Sequence, residues 1–107
     1  MQAAISSLEY LNIFKYTFFD FPCCKLDTVG HLKITKAIEK EIKLHKPDIV
    51  FTHSDSDSNI DHKIVYNSTI VATRPNSGVD HVVSYEVLSS TEWGYKNSFT
   101  PNLFYKL

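Results

Sequence analysis

The run Asp48-Ile49-Val50-Phe51-Thr52-His53 constrains the fold of this chain more than any other stretch. It is short, apolar and rich in β-formers, and segments with helical spacing flank it on both sides, so it reads as a buried strand between two helices. Before it, Ile34, Ile38 and Ile42 recur every four residues on one face, with Lys33, Lys36, Lys40 and Lys43 on the others. That pattern predicts a helix from an N-cap at Asp27 or Thr28 to about His45, where His45 and Lys46 suit the negative end of the dipole and Pro47 stops the helix. After the strand, the polar stretch from Ser54 to Asn59 leads into a second helix from about Asp61 to Thr73, with Ile64, Val65, Val71 and Ala72 on one side and Pro75 beyond its end. Past the turn signal Asn76-Ser77-Gly78, the run from Val82 to Leu88 is another strand. At the start of the chain, Ala3 to Asn12 reads as a short helix end, and Phe14 to Phe21 as an aromatic-rich strand or extended stretch halted at Pro22. The order strand, helix, strand, helix, strand predicts right-handed crossovers and a parallel sheet covered by helices, an α/β protein.

Composition narrows the function classes. With 107 residues, 43% hydrophobic and 21% charged, the chain fits one soluble globular domain, at the lower edge of what a multi-layered α/β enzyme needs. Eleven Lys and Arg against twelve Asp and Glu leave a net charge of -1, which gives no electrostatic footprint for nucleic acid or an anionic membrane. No apolar run is long enough to span a membrane, and Met1-Gln2-Ala3-Ala4 lacks the pattern of a secretory signal, so a cytoplasmic location is expected. Cys23 and Cys24 are adjacent and cannot staple distant parts of a fold; they are expected to be reduced and partly buried.

In parallel α/β sheets, ligands bind beyond the carboxyl ends of the strands, which directs attention to His53-Ser54-Asp55-Ser56-Asp57-Ser58-Asn59-Ile60-Asp61-His62. A calcium loop would use Asp55, Asp57, Asn59 and Asp61, but Ile60 stands where the sharp turn needs Gly and Tyr66 where the bidentate Glu belongs. Two readings stay open on spacing alone. One is a solvated loop in which Asn59 or Asp61 caps the following helix. The other is a transition-metal site with His62 as ligand on the first helical turn and Asp61 or Asn59 supporting it. A hydrolytic zinc site needs three protein ligands plus water, and the sequence offers no His-x-x-x-His or spaced Cys pair to complete one.

Longer matches add to this. The stretches Lys46-Pro47-Asp48-Ile49-Val50-Phe51-Thr52-His53, Asp57-Ser58-Asn59-Ile60-Asp61-His62-Lys63-Ile64-Val65-Tyr66 and Ala72-Thr73-Arg74-Pro75 resemble the central part of the LmbE-like, or PIG-L, family of zinc-dependent N-deacetylases. Phe21-Pro22 with Leu26-Asp27-Thr28 resembles the segment before the family's helix. Glu86-Val87-Leu88-Ser89-Ser90-Thr91-Glu92-Trp93 and Phe99-Thr100-Pro101-Asn102 resemble a later strand and loop, so the likeness covers nearly the whole chain. The resemblance implies a Rossmann-like three-layer α/β/α fold with a mostly parallel sheet. It also implies metal-dependent hydrolysis of an N-acetyl group from an amino sugar or glycoside, as in bacterial members that act on N-acetylated sugars in glycan biosynthesis. One Zn²⁺ is expected in the complete protein, held by a His and an Asp of a His-Pro-Asp-Asp motif and by a later His that corresponds to His62, with the other Asp as general base.

The sequence departs from that pattern in two respects. His-Pro-Asp-Asp does not occur, and many relatives carry a His where Asn59 stands. Asn donates a hydrogen bond but cannot deliver a proton, so His53 is the candidate for the acid, set against a strand-end His bonded only to backbone. Asp61 is expected either to orient His62 or simply to begin the helix. Asp57, Arg74 and Trp93 are candidate substrate contacts; Arg74 also suits a helix C-terminus, and a lone Trp also suits a core. His31 and His81 receive no function. Residues 1–107 are thus expected to form a single, partial deacetylase domain, an incomplete sheet prone to marginal stability and self-association, with the first metal motif upstream of Met1. The isolated chain is expected to be inactive. The alternative is a non-catalytic α/β binding or scaffold domain that retains only the fold.

Overall fold

The computed structural model describes residues 1–107. Its elements in chain order are α1 (Gln2–Tyr10), α2 (His31–His45), β1 (Ile49–His53), α3 (Ile60–Ala72) and β2 (His81–Tyr85), with short 3-10 turns at Leu26–Thr28, Pro75–Ser77 and Thr91–Trp93. β1 and β2 pair in parallel, Ile49 opposite His81 and His53 opposite Tyr85, with α3 as the crossover between them. This is the α/β architecture that the alternating pattern predicts.

α2 forms where its isoleucines repeat, and Ile34 and Ile42 are buried. Burial of such a side chain contributes about 1.5–3 kcal/mol. Its N-cap is Gly30 rather than Asp27 or Thr28, because those two residues are taken up by the preceding 3-10 turn, in which the Thr28 hydroxyl donates to the Lys25 carbonyl. Lys46, in the left-handed region at φ 47°, ends the helix by donating its N–H to the Ile42 carbonyl, and Pro47 follows. α3 packs against both α2 and β1. Ala72 is its one buried apolar residue, whereas Ser68 and Thr69 fill the middle of its inner face and Val71 lies at the surface. The Thr52 hydroxyl on β1 donates to the Thr69 hydroxyl at 3.2 Å, and Thr69 in turn donates to the Val65 carbonyl, so strand and helix are joined by a buried polar chain.

The helix α3 packs on β1, and the coil from Phe99 to Tyr105 borders a groove with Phe51 and the strand β2. Ile49 and Phe51 point away from the helices, and Phe51 is 59% exposed, so two of the three expected layers are formed. The aromatic stretch from Phe14 to Phe21 is extended but pairs with no strand. Its rings meet two residues apart, Tyr16 with Phe18 and Phe19 with Phe21, as alternation along an extended chain requires, while Thr17 ties it to Glu41 of α2. β2 stops at Tyr85 rather than Leu88 because the Val87 N–H turns away to the Thr91 hydroxyl at 2.6 Å. Cys23 and Cys24 are free thiols but exposed, contrary to the expectation of partial burial; the left-handed conformation of Cys24 (φ 57°) brings the two sulfurs to 3.6 Å on the surface. No helix is long and apolar enough to cross a membrane.

Candidate functional site

Beyond the carboxyl end of β1 the buried residues are almost all polar: Ser54, Ser56 and Asp57 in the loop, with Ser90 and Thr91 folded over them. Burial of such groups requires that each find a partner. Asp57 is the hub. Its side chain is 0% exposed; Oδ1 accepts from the Asn59 N–H at 2.8 Å, while Oδ2 accepts from the Ser90 hydroxyl at 3.0 Å, from the Thr91 hydroxyl at a longer 3.4 Å, and faces Nδ1 of His62 at 2.8 Å. Burial pushes the Asp57 carboxyl upward, but the donors from Asn59, His62 and Ser90 outweigh it and hold the group below the usual carboxylate range. The Asp57 carboxylate thus meets the His62 ring at Nδ1, and Nε2 has no hydrogen-bond partner in the chain.

The helix start that carries His62 is built from the same loop. Asn59 is the N-cap of α3, its Oδ1 accepting from the Asp61 N–H at 2.9 Å, and the acidic first turn complements the dipole. Asp61 does not orient His62. Its Oδ1 accepts from the Leu26 N–H at 3.0 Å and so fastens the 3-10 turn before α2 to the start of α3. The bracing carboxylate is Asp57, five residues before the imidazole. Asp57, expected among the substrate contacts, is fully buried.

His53 lies against His62 with the rings nearly parallel, centroids 4.1 Å apart, and tilts against Tyr85. Burial, then the neighbouring His62, lowers its pKa below the ordinary imidazole range. Its buried Nδ1 has no hydrogen-bond partner, so a backbone bond at that nitrogen does not account for its position. Trp93 is not a core residue: it is 57% exposed and meets Tyr95 edge-on at 6.1 Å, on the turn whose first residue is Thr91. Arg74 stands apart from all of these. It lies past the other end of α3, about 18 Å along the helix from His62 by helical rise, and its guanidinium reaches Glu39 of α2 at 3.4 Å.

Three residues of the site carried no role in the sequence reading. Ser90 and Thr91 close over Asp57, and Gly94 lets the same turn sit on the loop, because a Cβ there would collide with the Ser56 carbonyl oxygen. The segment Ser89-Ser90-Thr91-Glu92-Trp93 was the available signal.

A histidine on the first turn of a crossover helix, braced by a buried carboxylate at the carboxyl end of a parallel sheet, defines an α/β protein with a polar cluster at the end of the sheet where such folds bind ligands. The family described as GlcNAc-PI de-N-acetylase (PIG-L) matches residues 2–73, about two-thirds of the chain, and the chain belongs to that family. No curated protein and no solved structure matches it.

Family members are generally metal-dependent, and the residues present fit that chemistry at one position only. His62 has the arrangement of a metal-ligating imidazole, one nitrogen fixed by a carboxylate and the other free. A complete set does not exist: nowhere do three His, Cys, Asp or Glu side chains converge, and the Asp57 carboxylate is already occupied by its donors. A three-ligand zinc site therefore does not fit these residues.

Proposed function

We propose that this chain carries the histidine half of an N-deacetylase site for an N-acetylated amino sugar or glycoside. The carrying observation is the His62 imidazole braced through Nδ1 by the buried Asp57, inside the stretch that matches the de-N-acetylase family. His62 is the residue that would hold Zn²⁺ through Nε2; the further ligands and the base belong to the His-Pro-Asp-Asp motif of the family resemblance, which this sequence lacks. His53, stacked on His62, is the nearest group for handling a proton at the leaving amine, and Asn59 serves as the cap that sets the helix start. The exposed Trp93 with Tyr95 offers a stacking surface for a sugar ring on the turn beside the site. Arg74 is assigned to the α2–α3 contact through Glu39.

The reading is tested by supplying the missing half. A chain extended to include a His-Pro-Asp-Asp segment is expected to retain about one zinc per molecule by elemental analysis and to release acetate from N-acetylglucosaminides, and His62→Ala is expected to lose both. The 107-residue chain alone is expected to do neither. Full zinc content in the His62→Ala protein would overturn the ligand assignment. An extended chain that folds but neither binds metal nor releases acetate would favour a binding or scaffold role.

A further inference from the structure

We infer that Asp57, clamped by the turn carrying Ser90 and Thr91, is a positioning residue that fixes His62 as the Nδ1–H tautomer and keeps the Nε2 lone pair available. The inference deepens the deacetylase reading and rests on it for its purpose, but its geometry stands independently. An imidazole exposed to water is free to place its single proton on either nitrogen, and the partner of one nitrogen decides the protonation of the other. Here the partner of Nδ1 is a carboxylate, which only accepts, at 2.8 Å. That carboxylate cannot turn away. Its Oδ1 is held by the Asn59 N–H, and its Oδ2 by the Ser90 hydroxyl, whose own main-chain carbonyl accepts from the Ser58 hydroxyl at 2.7 Å and the Ser58 N–H at 3.3 Å. The clamp is thus double, side chain and backbone, and it joins Ser58 and Asn59 of the stretch that matches the family to Ser90 beyond it.

The nearby alternative, Asp61, makes no bond to the His62 ring; its Oδ1 accepts from the Leu26 N–H instead. What the arrangement favours is a ligand that accepts electron density from an unprotonated Nε2, a cation or an acidic proton, over one that needs an N–H donor there.

The experiment is long-range nitrogen–proton correlation of the His62 ring in the 107-residue chain at about pH 8.5, above the ordinary imidazole range. The wild-type ring is expected to carry its proton mainly on Nδ1. In Asp57→Asn, Oδ1 keeps the Asn59 N–H, while the amide nitrogen faces His62 as a donor, so the ring is expected to switch to mainly Nε2–H. Ser90→Ala removes one clamp but leaves the acceptor, and is expected to keep the wild-type tautomer. A folded Asp57→Asn protein that keeps the Nδ1–H form would overturn the inference. So would a wild-type ring found mainly as Nε2–H, which decides the matter even if the variant does not fold. The deacetylase reading can fail, by absence of metal uptake in the extended chain, without moving either signal.

Discussion

Gly94→Ala probes how the turn beyond β2 is seated on the site loop. Gly94 has φ -78° and ψ 61°, so its backbone conformation is open to alanine and the objection is steric. An added Cβ would collide with the Ser56 carbonyl oxygen and crowd the Thr91 and Asn97 carbonyl oxygens at 3.2 Å. All three are main-chain atoms that cannot swing aside, so the turn must retreat by roughly 1 Å or more. Retreat stretches the Ser90–Asp57 bond, now 3.0 Å, and the Ser58–Ser90 bond, now 2.7 Å. A hydrogen bond to a charged group contributes about 1.5–3 kcal/mol and a neutral one about 0.5–1.5 kcal/mol. Alanine stiffens the unfolded chain and returns about 0.4–1 kcal/mol. The net expectation is a loss of about 2–3 kcal/mol, read as a lower midpoint in urea unfolding at unchanged slope. Because both act on the same contact, Ser90→Ala is expected to cost clearly less in the Gly94→Ala background than alone. A Gly94→Ala protein within about 0.5 kcal/mol of wild type, or strict additivity with Ser90→Ala, would refute the reasoning.

Further outcomes follow from the same geometry. Asp57 has its folded pKa lowered, so it binds its proton more weakly folded than unfolded; its contribution is complete above the ordinary carboxylate value and is lost as pH falls through that value toward the lower folded one. Unfolding midpoints measured from about pH 6 down to pH 3 should therefore fall, and Asp57→Asn should flatten that decline. Cys23 should react with a thiol reagent in the native chain as fast as in the denatured one, and Cys24 more slowly natively because its contact with Cys23 pushes its thiol pKa up; a native Cys23 protected from the reagent would contradict its exposure. Thr52→Val should cost about 0.5–1.5 kcal/mol in the same unfolding assay, since the Thr69 hydroxyl keeps its bond to the Val65 carbonyl.

Local periodicity made much of the fold legible. The fourfold spacing of Ile34, Ile38 and Ile42, the stop at Pro47 and the β-rich run from Ile49 to His53 each act within a turn or two of chain, and each appears where that spacing places it. Asn59 as a cap was readable for the same reason. The aromatic stretch from Phe14 to Phe21 had strand composition, but a strand is made by its partner, and none lies beside it. The carboxylates show the limit most clearly. Asp61 is adjacent to His62 in sequence, yet Asp57 reaches the ring, because Asp61 is claimed by Leu26, 35 residues earlier, and Asp57 is aimed by Ser90, 33 residues later. Neither long-range partner has a periodic signature.

That separation also divides the molecule's motions. β1, α3 and β2 hold one another through strand pairing and the crossover, whereas the turn from Val87 to Gly94 is attached through a few hydrogen bonds and leaves Leu88 and Trp93 in solvent. Segments with so little apolar contact open at a lower free energy than the whole chain unfolds. The imidazole of His62 is therefore governed by an opening equilibrium of its own. Its signature is hydrogen exchange at the Ser58 amide that runs ahead of exchange in the middle of α3, so the site loses its order while the helices that present it are still intact.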